Sequence, residues 1–405
     1  MTSTLGATRQ ATRTPAPVGR VFLPRPPNPG VLRPLAIFAA SRVLVLTTVA
    51  VIALVGRADP GVGPWPALPG PRLAFLRALG RWDAAWYVAI AHHGYRLEAS
   101  PPGGHASDAF FPLFPMLVRL FSAPLHVSPL IIAMILSTVI GAGAALAVWF
   151  LARRLAGQSV ADRAVTLFCV FPGAFVLSMA YAEGLLILAC ATCLLALYDR
   201  RWIVAGLAAA VATATRPNAA PIVLACISAA VIATRRRGDR RSWIAPALAP
   251  VGAAAFFVSL WVRTGSLMRW FDAERTLWRD HLDVGLTAVR RVGEALIGPA
   301  PSLAPGGLNI PAVAVGALLG VVGVMFVLRW RPPLPVALFT LATVLMACAS
   351  VNVGPRPRLL LAAFPVSIAV AKYIRGRMFV AVVTVSALGM VALTALTVAS
   401  LSVTP

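Results

Sequence analysis

The residues best suited to chemistry sit in RWDAAWYVAIAHHGY, residues 81 to 95. Within fifteen positions it holds a carboxylate (Asp83), an arginine (Arg81), Trp82 and Trp86, Tyr87 and Tyr95, and His92 and His93. A carboxylate within hydrogen-bond reach can take the proton of an attacking hydroxyl. Guanidinium groups pair with phosphate oxygens through a planar fork. Read as a helix of about 100° per residue, the stretch sorts into three stripes. Arg81, Ala85, Val88 and His92 share one, Trp82, Trp86, Ala89 and His93 a second, and Asp83, Tyr87, Ile90 and Gly94 the third. The tryptophan stripe suits a membrane–water boundary, with Asp83 turned toward protein. An interfacial anchor helix without chemistry fits the same pattern.

Further polar residues punctuate apolar runs. Glu183 lies in SMAYAEGLL, Arg216 and Asn218 in TATRPNAAP, Arg356 and Arg358 in VNVGPRPRLL, and Asp272 and Glu274 near the start of FDAERTLWRDHLDVG. Ionisable groups at membrane depth are costly and mark function by default. Carboxylates mixed with arginines suit a substrate with sugar and phosphate parts, because carboxylates and tryptophans bind sugar hydroxyls and ring faces. Taken singly, each group could instead snorkel or pair with a neighbour, which is how Arg263 and Arg269 read.

The surrounding elements are membrane helices. Hydrophobic residues make up 59% of the 405 positions and charged residues 12%, about half the charged share of a soluble domain. Many apolar runs approach the roughly 20 residues that cross a bilayer. The chain therefore reads as an all-α polytopic membrane protein. Its net charge of +23 falls in short runs between spans, a topological signal that excludes nucleic acid as the partner. All five cysteines lie in apolar runs, and Cys190 with Cys193 reads as helix packing.

Residues 1–33, rich in Pro, Thr and Arg, read as a disordered basic tail with no cleavable signal. Residues 34–405 read as one transmembrane domain of about eleven spans: 34–56, 128–152, 163–181, 184–199, 202–215, 218–234, 243–262, 309–328, 333–350, 359–374 and 378–401. A large first loop, 57–109, carries the opening motif, and a second runs 263–308. FFPLFPMLVRL, 110–120, reads as a short helix dipping into the membrane, because Pro112 and Pro115 make a poor start for a full span. With the tail inside, the inner loops hold 20 of the 36 basic residues but only Asp162, Asp199 and Asp239 of the 13 acids. This predicts a cytoplasmic N-terminus and places Asp83 on the non-cytoplasmic face.

RWDAAWYVAIAHHGY followed by AFFPLFPMLVRL resembles the GPI mannosyltransferase II (PIG-V) family, membrane glycosyltransferases of the GT-C type. The first motif matches that family's R-W-D-x-x-W-Y-x-x-I-A-x-x-G-Y at every fixed position. The second matches F-F-P-L-[YF]-P-L-L with Met116 for a leucine. AYAEGLL, TRPN, ERTLW and PRPRLLLAAFP follow in the family's order, with Gly184 for a serine, Ala219 for a glycine, and Pro357-Arg358 where the family has a simpler R-Y.

The resemblance implies a GT-C fold whose first outer loop carries amphipathic helices. It implies transfer of mannose from a polyprenyl-phosphate donor to a lipid-linked or glycan acceptor, with inversion, on the non-cytoplasmic face of the cell membrane. It makes Asp83 the catalytic carboxylate. The expected substrate contacts are Arg81, Trp82, Trp86, Tyr87, His92, His93, Glu183, Arg216, Asn218, Glu274, Arg356 and Arg358. A phosphate monoester already leaves well, so positive charge matters more than a general acid. No cofactor is expected, and no metal-ligand motif is visible. Two other readings fit a chain of this kind: a lipid-glycan flippase, which would favour internal repeats and helices broken mid-membrane, and a non-catalytic subunit of a membrane complex.

Overall fold

A computed structural model describes residues 30–56, 71–95, 107–281, 283–298, 307–351 and 354–399. Nearly all of the predicted tail, residues 57–70 and 96–106 of the first predicted outer loop, and residues 282 and 299–306 of the second lie outside these residues. The described chain is helical, with no strand. In order, the helices are α1 (Leu32–Leu54), α2 (Pro71–Leu79), α3 (Asp83–His93), α4 (Leu113–Leu125), α5 (Pro129–Ala156), α6 (Gln158–Cys169), α7 (Glu183–Tyr198), α8 (Trp202–Thr215) and α9 (Pro221–Arg237). After them come α10 (Ile244–Leu248), α11 (Val251–Thr264), α12 (Arg269–Asp272), α13 (Leu286–Ile297), α14 (Asn309–Trp330), α15 (Leu334–Ala349), α16 (Pro357–Leu360), α17 (Pro365–Tyr373) and α18 (Gly376–Ala399).

Among the described residues, six stretches are long and apolar enough to cross a membrane: α1, α5, residues 217–237, residues 240–264, α14 and α18. Their outer flanks present Val51, Leu318, Val321, Met378 and Val385, all exposed as lipid-facing residues should be. This is a multi-pass membrane protein. The remaining predicted spans are short or broken. α7 has 16 residues, α8 has 14 and α15 has 16, and the predicted span 359–374 is split into α16, a 3-10 turn and α17. α7 is buried along most of its length, so its neighbours, and not lipid, satisfy its apolar surface.

The span predicted at 163–181 is α6 followed by a 3-10 helix, Pro172–Ser178, bent by 76°. Pro172 cannot continue the α6 ladder, and the break frees carbonyls in a buried setting. Arg42 of α1 takes them. Its Nη1 donates to Ala174 O at 2.6 Å and Ser178 Oγ at 3.2 Å, and its Nη2 to Cys169 O at 3.0 Å. The charge in the first span is thus an internal brace and does not snorkel.

Close approaches then set the site's frame. α7 meets α5 where Gly184 lies on the backbone of Gly141, while Ser137 Oγ donates to Tyr181 O at 2.9 Å. The 3-10 segment meets α16 where Gly173 faces Pro357 so closely that a Cβ would strike the Pro357 carbonyl. Small residues at such crossings let backbones touch.

Candidate active site

A cavity of about 810 Å³ opens among α3, the α8–α9 junction, residues 270–281, α15 and α16. Its charged lining includes Asp83, Arg216, Glu274, Asp280 and Arg358, and its aromatic lining includes Tyr87, Phe110, Trp270 and Trp278.

Local sequence explains how each group is aimed. Asp83 is the first residue of α3, where the amide dipoles favour a carboxylate. The turn before it is tight, with Trp82 at φ 59°, a region costly for a side chain of that size. Arg216 ends α8 in an extended conformation, φ −157° and ψ 151°, because Pro217 drives its predecessor out of the helical region. Arg356 is extended before Pro357 for the same reason. Glu183 opens α7.

Four of these groups form one charge network. Arg358 Nη1 donates to Asp83 Oδ2 at 2.8 Å, and Arg216 Nη2 reaches the same oxygen at 3.5 Å. Arg216 Nη1 donates to Glu183 Oε1 at 2.6 Å, with Arg358 Nη1 4.0 Å from that oxygen. The Arg358 guanidinium also lies over the Tyr181 ring at 5.5 Å. Burial by itself would raise the Asp83 carboxyl, but Arg358 and then Arg216 hold it below the usual carboxylate range. Glu183 Oε2, Asn218 Oδ1 and Arg356 Nε are buried without a hydrogen-bond partner. Desolvating four charges is expensive, and a well-packed apolar cluster would be at least as stable.

The segment from α11 to α13 forms another wall. It is fastened at one end by Asp108, fully buried and paired with Arg263 Nη1 at 3.3 Å and Arg269 Nε at 3.0 Å. At the other end Asp283 N donates to Ala349 O at 2.9 Å, Val351 N to His281 O at 3.0 Å, and Ser350 Oγ to Asp280 Oδ2 at 2.8 Å. Between them a π-turn, Ala273–Leu277, carries Glu274. Single π-turns recur at functional sites because they re-aim a side chain. Burial first, then the Asp280 and Asp83 carboxylates, push the Glu274 carboxyl up to about 7 against the pull of Arg216.

Several expected contacts belong elsewhere. Arg81 does not reach the cavity. Its Nη1 donates to Val398 O at 2.8 Å and Thr397 O at 3.2 Å, capping the end of α18, where helix carbonyls lack internal partners. His92 and His93 are exposed and lie against each other, 3.2 Å between ring nitrogens. Nine and ten residues along the helix from Asp83, they stand about 14 Å away along its axis. Trp82 packs on the core, outside the cavity lining. Trp86 stacks on Phe110 at 5.7 Å and meets Trp278 edge-on at 6.0 Å. The tryptophans therefore pack on protein and are not a boundary anchor. Glu183 stands behind Arg216, outside the lining, and Arg356 is buried and also outside it. Tyr87, Arg216, Asn218, Glu274 and Arg358 do line the cavity with Asp83. Sequence reasoning missed Asp280, Ser350 and Trp270. Asp280 had a signal, a charged residue two positions after the ERTLW stretch, whereas nothing around Ser350 marked it.

Residues 73–232 match the family model described as Mannosyltransferase (PIG-V). Over that segment, about two-fifths of its length, the chain is similar to PIG-V-type mannosyltransferases. The matched segment contains Asp83, Glu183, Arg216 and Asn218, and Glu274, Asp280, Arg356 and Arg358 lie beyond it. A comparison with curated proteins found no match. Among solved structures, the chain is similar to ArnT from Cupriavidus metallidurans bound to undecaprenyl phosphate, at 14% identity and TM-score 0.49, covering 84% of this chain and 62% of that one. It is similar to AglB from Archaeoglobus fulgidus in complex with an inhibitory peptide and a dolichol-phosphate, at 16% identity and TM-score 0.40, covering 88% and 55%. The chain thus spans about three-fifths of the length of these structures.

Proposed function

We propose that this protein is a glycosyltransferase that moves mannose from a polyprenyl-phosphate donor to a hydroxyl of a lipid-linked or glycan acceptor, with inversion, on the non-cytoplasmic face of the cell membrane. The observation that carries the reading is the network of Asp83, Arg358, Arg216 and Glu183 on the cavity wall. Two guanidiniums at one point suit a phosphate, and Arg356 beside them has no ion-pair partner among the described residues. The Asp83 carboxylate pairs with the same guanidiniums that the donor's phosphate would take.

The chemistry follows from that competition. The donor's phosphate displaces Asp83 from Arg358 and Arg216, which frees the carboxylate and restores its basicity. The acceptor oxygen attacks the anomeric carbon from the face opposite the phosphate. The bond from that carbon to the phosphate oxygen breaks, and its electron pair leaves with the polyprenyl phosphate. The hydroxyl proton goes to Asp83. The arginines stabilise the charge that develops on the leaving oxygen, and Glu183 keeps Arg216 in place while Asp83 lets go. A β-linked donor gives an α-mannoside.

A transporter would share the buried charges and the broken helix. Here the carbonyls freed at the break are occupied by Arg42. The test is incubation of the purified protein with radiolabelled undecaprenyl-phosphate-mannose and a total membrane lipid extract. Label should appear in a new glycolipid, with undecaprenyl phosphate released in equal amount. Label that crosses a reconstituted vesicle membrane without changing its chemical form would favour transport.

A further inference from the structure

We propose that Glu274 orients the acceptor, hydrogen-bonding a hydroxyl of the acceptor sugar and thereby presenting the reacting hydroxyl to Asp83. This role rests on the donor site proposed above. Three carboxylates line the cavity: Asp83, Glu274 and Asp280. Asp83 is held by two arginines and Asp280 accepts from Ser350 Oγ at 2.8 and 3.0 Å. Glu274 forms no side-chain hydrogen bond or ion pair among the described residues. It is half-buried and not in open water, so a carboxylate left there without a partner is costly unless a ligand supplies one.

The position of this carboxyl is built. The π-turn closes through Trp278 N donating to Ala273 O at 3.1 Å and Asp280 N donating to Glu274 O at 2.9 Å. Ala273 is buried under it. Trp270 Nε1 donates to Ala109 O at 3.2 Å, which ties the loop to the segment leading into α4. Trp270 and Trp278 line the same region of the cavity. Indole faces beside a free carboxylate match a sugar, whose C–H face stacks and whose hydroxyls donate. This wall sets two carboxylates, Glu274 and Asp280, against one arginine, Arg275, so it attracts a phosphate less than the Arg216 and Arg358 wall does. The donor's phosphate and the acceptor's sugar therefore have separate walls, with Asp83 between the arginines of one and the field of Glu274 on the other.

An ionised Glu274 accepts a hydroxyl hydrogen bond better than a neutral one. With its carboxyl pushed up to about 7, it is protonated below that pH and ionised above it. Acceptor half-saturation should therefore fall as pH rises from 6 to 8. The experiment measures mannosyl transfer from undecaprenyl-phosphate-mannose while the membrane lipid extract is titrated, for the wild type, Glu274→Gln and Glu274→Asp. Binding of undecaprenyl phosphate alone is measured alongside. Glu274→Gln should bind undecaprenyl phosphate as the wild type does and need about tenfold more extract for half-maximal rate. Its half-saturation should no longer change with pH, and Glu274→Asp should restore part of both. A Glu274→Gln protein that saturates at the wild-type amount of extract, or keeps the wild-type pH dependence, overturns the role while leaving the donor site standing. A wild type that neither binds undecaprenyl phosphate nor transfers mannose overturns the donor site and this role together.

Discussion

Asp83 Oδ2 accepts from Arg358 Nη1 at 2.8 Å across 275 residues of chain. The motif carboxylate and the distal arginine thus satisfy one another, and under the proposed function a donor phosphate would separate them. Removing the carboxylate's charge should then act in two directions. Asp83→Asn should lower turnover by about 10²–10⁴-fold, because an amide cannot take the hydroxyl proton. Undecaprenyl phosphate should bind at least as tightly as to the wild type, because its competitor for the arginines is gone. Equilibrium binding together with single-turnover transfer checks both. Weaker phosphate binding in Asp83→Asn would mean the carboxylate positions the arginines and does not compete for them.

Replacing arginine by lysine keeps the charge and loses the fork. Arg358→Lys and Arg216→Lys should each weaken donor use by about 1.5–3 kcal/mol, the worth of a charged hydrogen bond. Donor half-saturation should rise while acceptor half-saturation stays close to the wild type. Arg81→Lys is the comparison, since Arg81 caps α18 away from the cavity. If Arg81→Lys raises donor half-saturation as much as the other two, the phosphate site lies elsewhere.

Gly173 offers a test of how the fold places Arg358. A Cβ there would meet the carbonyl of Pro357, an atom of the backbone that carries Arg358. Gly173→Ala must therefore push α16 away, at about 1–3 kcal/mol for overpacking. Transfer should drop at least tenfold in a protein that still inserts and purifies. Unchanged donor binding in Gly173→Ala would show that α16 can shift without moving the guanidinium.

Topology can be checked at exposed positions. Ala295 on α13 and Arg236 near the end of α9 are both exposed. The described structure's cysteines are free, and four of the five are buried. Ala295→Cys should react with an impermeant thiol reagent in intact cells, and Arg236→Cys should react only after permeabilisation. Labelling of Arg236→Cys in intact cells would invert the arrangement read from the arginines.

The class of this protein was legible in the chain because membrane residence is a matter of local composition: runs of apolar residues, with basic residues between them, need no tertiary contact to be read. Asp83, Glu183, Arg216, Asn218 and Arg358 were legible as polar exceptions in such runs, since a charge there demands a partner. The identity of the partner was not. Arg81 is two residues from Asp83 in sequence, yet the turn at Trp82 sends it to the end of α18, while Arg358 arrives from the far end of the chain. The histidines share the motif but stand at the other end of an eleven-residue helix. Arg42 is a charge within the first apolar run, which demands a partner, and only the 76° break opposite it shows which carbonyls it serves. Pairing, depth and the shape of the cavity depend on which helices cross, and crossings are decided by contacts such as Gly173 on Pro357 and Gly184 on Gly141. Those are meetings of distant backbone surfaces, so no single stretch of the sequence contains them.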